Sequence, residues 1–286
     1  MKKMAFVTDS GTGKSVEEME ALGCYSVPLQ LITDQASFKE FEDISYEEVY
    51  KLLQKNQGIT TSLPVMADIE ALFLSLKEKG YTDIFAIPIC TGLSGTTNAM
   101  YTAAASLGLT FHHFDSGTTA VIQFYLLKLA KSLHDEGVEI EKIKETLAEV
   151  VAHANTILIP DDLMHLARGG RLSSTSAIIG NLIKIKPVLE VNLKTKGRIE
   201  VVQKLRTFKR AIQFVLDEMM KEITEKPEQY HIVVAHVDDI KKGKDVVEML
   251  KNLFPKSSIE LIDLVPTVSS HTGLGCIALQ YFKQIH

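Results

Sequence analysis

The sequence has no tryptophan, which excludes nothing, and only 3 cysteines in 286 residues. Cys24, Cys90 and Cys276 lie far apart and share no metal-ligand spacing, so a cysteine-built metal site is not expected. Reduced thiols in the cytoplasm explain them best. No stretch approaches the ~20 apolar residues of a membrane span, so no stable membrane insertion is expected. The apolar run after Met1-Lys2-Lys3 covers only Met4 to Val7, too short for the core of a signal peptide. Lys and Arg number 31 against 36 Asp and Glu, a formal net charge of -5. That balance gives no global basic field, and no aromatic-basic motif is present, so no nucleic acid partner is expected. Repeats and low-complexity segments are also missing.

What is present is ordinary globular composition, 45% hydrophobic and 23% charged, long enough for one large or two modest domains. Strand and helix signals alternate over the first ~155 residues, which implies a mainly parallel sheet. The expected strands are Met4–Val7, Tyr25–Thr33, Ile84–Ile89 and Thr110–Phe114. Helices are expected within Val16–Leu22, Phe38–Gly58, Met66–Lys79, Thr118–Asp135 and Ile140–Ala154. From Thr156 the pattern changes. Pro187–Asn192 and Arg198–Leu205 read as a hairpin, Ile178–Ile185 and Phe208–Ile223 as helices, and the apolar tail before His286 as a last helix. The fold class is therefore α/β, with two α/β domains at 1–155 and 156–286 and a ligand cleft between them. The first sheet is mainly parallel and the second mixed.

Thr82 to Met100 is the most informative stretch. A buried strand runs into the small polar turn Cys90–Thr97, and a helix follows. Open α/β sheets present ligands at such strand-to-helix turns. Gly92 and Gly95 allow close backbone approach, and Ser94 between them is expected to meet the polar head of a ligand. Ile59-Thr60-Thr61-Ser62-Leu63-Pro64 reads as an extended polar loop before proline. Asp9-Ser10 and Asp115-Ser116 end two strands alike, as loops at one sheet edge or as caps and turn formers. Gly11-Thr12-Gly13-Lys14-Ser15 evokes a phosphate-binding loop, but Thr8 stands where its first glycine belongs and Asp9 would repel phosphate. Ser15 is expected to cap the next helix instead.

Several of these pieces together resemble the DegV family, fatty-acid-binding proteins that include the lipid-carrying subunit of bacterial fatty acid kinase. The matching residues are Val7-Thr8-Asp9-Ser10, Thr61-Ser62-Leu63-Pro64, Gly92-Leu93-Ser94-Gly95-Thr96 and Asp115-Ser116. Further on come Arg168-Gly169-Gly170-Arg171-Leu172-Ser173, Lys186-Pro187, Leu205-Arg206-Thr207 and His271 with two glycines after it. They recur in order over essentially the whole chain.

The resemblance implies one long-chain fatty acid in a buried tunnel, its carboxylate held by Thr61, Ser62 and Ser94 with His271 nearby. A separate ATP-dependent kinase subunit would phosphorylate that carboxylate to an acyl phosphate, feeding phospholipid synthesis. Arg168, Arg171 and Arg206 would face the kinase, and His271 would assist phosphoryl transfer. The chain itself would carry the substrate without catalysing. It would need no cofactor or metal, with at most a transient membrane contact. The chemistry is coherent: burying a tail at ~0.8 kcal/mol per methylene supplies affinity, and hydroxyls satisfy the head group. The alternative is a serine hydrolase using Ser94 and His271 with Asp115 or Asp9. Its nucleophile turn requires Gly-x-Ser-x-Gly, and here the second glycine comes one position early.

Overall fold

A computed structural model describes residues 3–172, 185–223 and 226–285. Strand β1 (Met4–Asp9) leads through a 3-10 turn at Ser10–Thr12 into helix α1 (Val16–Ala21) and strand β2 (Tyr25–Val27). Strands β3 (Gln30–Ile32) and β4 (Ser37–Lys39) follow, then helix α2 (Tyr46–Gln54) and strand β5 (Thr60–Ser62). Helix α3 (Met66–Glu78), strand β6 (Asp83–Ala86), helix α4 (Thr96–Ser106) and strand β7 (Thr110–His113) come next. After helices α5 (Ala120–Asp135) and α6 (Ile140–Ala152) come strand β8 (Ala154–Ile159), helix α7 (Leu163–Arg168) and the hairpin strands β9 (Lys186–Val191) and β10 (Glu200–Leu205). Helix α8 (Phe208–Ile223), strand β11 (Tyr230–His236), helix α9 (Ile240–Leu253), strand β12 (Ser258–Asp263), helix α10 (Pro266–Thr272) and strand β13 (Ile277–Lys283) complete the described chain.

The first sheet, β2-β1-β6-β7, is parallel throughout. The second, β10-β9-β8-β13-β11-β12, is mixed: β11 and β12 run parallel and every other pair antiparallel. Both match the expected class. A third, small antiparallel sheet, β4-β3-β5, was not expected.

Three local expectations are corrected. Tyr25–Thr33 forms two strands in two sheets. Pro28 has no N–H to continue a ladder, and at the break Leu29 N donates to Ser10 Oγ at 2.8 Å. The polar loop at Thr60–Ser62 is an edge strand, paired with β3, a place that suits β-branched threonines. The apolar tail is not a helix. It is β13, buried between β8 and β11, and a strand covered on both faces reads as a continuous apolar run that periodicity does not separate from a helix. The helix expected at Ile178–Ile185 lies outside the described residues but for Ile185.

Alternation along β1 and β6 feeds two cores. Phe6 and Phe85 face α5 and α6, whereas Ala5, Val7, Ile84 and Ala86 face α3 and α4. In the mixed sheet Ile157, Ile159, Ile232 and Leu279 pack under α8 and α9. Its other face, with Leu158, Leu189, Val191 and Ala278, packs with Leu31, Val49 and Leu166. Helix α10 sits against α2, α7, β3 and β5. Its first turn is tied to the opposite end of the chain: Thr267 N donates to Glu40 Oε1 at 2.6 Å, and Ser10 Oγ donates to Glu40 Oε2.

Candidate functional site

In the parallel sheet the chain leaves β1 toward β2 on one side and β6 toward β7 on the other. The crevice at the carboxyl ends of β1 and β6 is thus a topological switch point, where ligands settle in such sheets. A cavity of about 620 Å³ is lined there by the turn after β6 (Thr91 to Gly95), by Thr61 and Ser62 of β5, and by Thr267, Val268 and His271 of α10. Arg171, after α7, and Arg198, at the foot of β10, also line it. Four residues expected at a ligand carboxylate, Thr61, Ser62, Ser94 and His271, are therefore on one wall system. Arg168 lines a neighbouring cavity of about 560 Å³, which shares Arg171 and His271 with the first. Arg206 is exposed at the end of β10 and lines neither.

Ser94 is tied into the chain as well as lining the cavity. Its Oγ accepts from Thr96 N at 3.3 Å and lies 2.9 Å from Thr96 Oγ1, bracing the start of α4, while the residue also lines the cavity. The glycines beside it act differently from expectation. A Cβ on Gly92 would overlap the backbone of Lys196 and Gly197, so Gly92 admits the hairpin turn rather than a ligand. Gly95 has no such need; its Cβ would meet only Leu63 Cδ2 at 3.8 Å. Cys90 is buried behind this contact, its Sγ donating to Gly197 O at 3.4 Å.

His271 is 8% exposed. Burial first, then Arg171 and His165, pull its pKa from 6.5 down to about 4, so the imidazole is neutral at pH 7. Its Nε2 lies 2.7 Å from Thr61 Oγ1. With the proton on Nε2, the ring donates to Thr61, and the threonine hydroxyl keeps its own hydrogen for an acceptor in the cavity. Nδ1 is buried with no hydrogen-bond partner among the described residues.

The serine-hydrolase relay is not assembled. His271 bonds Thr61, not Ser94. Asp115 accepts from the Thr91 amide and hydroxyl. Asp9 accepts from Gly11 N and Ile89 N, both at 3.0 Å, and from Gln123 Nε2 at 2.9 Å. Asp9 thus braces the switch-point loops, and Ser116 forms a turn with Thr118. The Gly-Lys-Ser segment is no phosphate cradle either: Ser15 and Glu18 form a capping box for α1, and Lys14 pairs with Glu18 at 3.1 Å.

Behind the polar cavity is a small apolar one of about 40 Å³, sharing Leu93, Ile199 and Val268 with it. Sequence reasoning missed Arg198, Ile199 and Thr267 at the site, and Glu40 beneath it. Arg198 follows Gly197, whose φ of +68° marks a turn, but nothing local to residue 198 indicates that this turn docks on Gly92. Glu40 carries no local signal that sets it apart from Glu42 and Asp43 just after it. Its burial pushes its carboxyl from 4.5 up to about 7 despite bonds from Ser10 and Thr267.

A parallel and a mixed sheet with a hydroxyl-lined, arginine-rimmed cavity between them define an α/β protein with a ligand-sized cleft. The chain belongs to the DegV family, whose profile matches residues 3–284. It is 31% identical over 285 residues to a DegV domain-containing protein of Streptococcus pneumoniae, covering 99% of this chain and 100% of that one. Among solved structures it is similar to the fatty acid binding DegV family protein of Streptococcus agalactiae, at TM-score 0.89 and 27% identity over 100% of both chains. DegV of Bacillus subtilis, described as a fatty acid binding protein, matches at TM-score 0.86 and 26% identity, over 99% of this chain and 100% of that one.

Proposed function

We propose that this chain, in the cytoplasm, binds a long-chain fatty acid and presents its carboxylate to a separate ATP-dependent kinase subunit. The observation that carries this reading is one cavity in which Thr61, Ser62 and Ser94 meet a neutral, buried His271, backed by the apolar surface of Leu93, Ile199 and Val268. Hydroxyls hold the carboxylate, and the tail follows the apolar wall between the domains 1–155 and 156–286. The fatty-acid-binding relatives of Streptococcus agalactiae and Bacillus subtilis support the ligand class.

In the kinase step a carboxylate oxygen attacks the terminal phosphorus of ATP. The new O–P bond forms as the P–O bond to ADP breaks, giving an acyl phosphate. A neutral His271, donating through Thr61, steadies the carboxylate without holding it as a bidentate arginine would. Arg171 and Arg206, with Arg168, face the kinase. The test is hydroxylamine trapping of the acyl phosphate with ATP and the kinase subunit. Arg206→Ala is expected to lower hydroxamate yield and leave bound lipid in place; absence of hydroxamate with the unaltered chain would end the kinase half of the reading.

A further inference from the structure

A second cavity adjoins the first. It is walled by Asn56 and Gln57 after α2, by His165, Arg168 and Gly169 around the end of α7, and by the shared pair Arg171 and His271. Among the described residues no Asp or Glu lines either cavity, although the chain carries 36 of them. Arg171 Nη1 donates to Gly169 O at 2.9 Å, which fixes its guanidinium at the partition between the two spaces. The partition has a second polar face. His271 directs Nε2 to Thr61 in the first cavity, whereas its unpartnered Nδ1 packs on Gly169, a wall of the second. A Cβ at residue 169 would overlap that nitrogen.

We propose that this second cavity is an oxyanion site that takes a phosphate group. Guanidinium forks match phosphate geometry, and the amide side chains of Asn56 and Gln57 add neutral donors. A phosphate there lies across Gly169 from Nδ1 of the imidazole that steadies the carboxylate. An anion on that side favours the protonated ring. The site couples the head-group cavity to the arrival of phosphate. The choice of phosphate among oxyanions rests on the kinase reading.

The test uses the full chain loaded with fatty acid and no kinase. Inorganic phosphate is titrated at constant ionic strength against chloride while the His271 ring nitrogens are followed by NMR. A saturable shift with phosphate alone is expected. Arg168→Gln should weaken it about tenfold, and Asn56→Asp, which keeps the turn and adds a carboxylate, should abolish it. No saturable shift, or equal binding by both variants, overturns the site. A parallel titration with a non-hydrolysable ATP analogue separates the sources: tighter binding of the analogue assigns the site to the donor's phosphate, and tighter inorganic phosphate to the free ion. Failure to trap acyl phosphate while phosphate still binds would remove the kinase reading and leave the site standing.

Discussion

At the scale of single residues the site turns on a shared hydrogen bond, Thr61 to His271. Thr61→Val keeps the volume and removes the hydroxyl. It leaves a buried imidazole N–H without an acceptor and the ligand carboxylate short of a donor. Such losses cost about 1–1.5 kcal/mol, so fatty-acid affinity should fall roughly 5- to 12-fold in a fluorescent-ligand displacement assay. Unchanged affinity would contradict the role given to Thr61. The imidazole itself should titrate by NMR with a midpoint near 4 rather than 6.5, because burial first, then Arg171 and His165, oppose its charge. A midpoint at or above 6 would show that the ring is not held neutral. Ser94 was legible from sequence because the strand-to-helix turn is local. The bracing of α4 through Thr96 depends on the same local turn, so the residue that lines the cavity also ties down the helix start.

Among the secondary-structure elements, the Cys90–Gly95 turn and the β9–β10 hairpin are locked backbone to backbone. Gly92→Ala should therefore destabilise the fold by about 2 kcal/mol or more, since no side-chain rotation relieves a clash with Gly197. Gly95→Ala, whose Cβ has room, should cost under about 1 kcal/mol. Thermal melts of the two variants separate them, and equal losses would contradict the contact. The hairpin was readable from its alternation, as was the helix capped by Ser15, because those signals are confined to neighbouring residues. Strand β13 was misread as a helix because its apolar run owes its meaning to β8 and β11, which lie far away in sequence. Arg198 was missed for the same reason: the hairpin reaches the Ser94 turn across more than 100 residues, as in the Cys90–Gly197 bond.

For the whole molecule, the buried carboxyls of Glu40 and Asp9 and the buried imidazole of His271 make stability depend on pH. Burial raises Glu40 from 4.5 to about 7 and Asp9 from 3.8 to about 6. Each binds its proton more tightly folded than unfolded, so its contribution is complete below the unfolded pKa and is lost as pH rises through the folded one. His271 acts oppositely, withdrawing stability as pH falls from 6.5 toward about 4. Two groups outweigh one. Unfolding free energy should rise by about 2 kcal/mol from pH 8 to pH 5, read from urea midpoints. Glu40→Gln should abolish that rise. A wild-type stability that falls over this range would contradict the buried-carboxyl assignment.

The sheet classes were visible in the order of periodic segments. The cavity was not, because it is assembled from β5, the turn after β6, the hairpin and α10, four elements joined only by tertiary contact. Its central claim is that it holds a fatty acid. The most direct test is native mass spectrometry of the protein as purified, followed by organic extraction. A stoichiometric mass excess that extracts as a fatty acid is predicted. A bare chain mass, with no uptake of added oleate or palmitate, would contradict it.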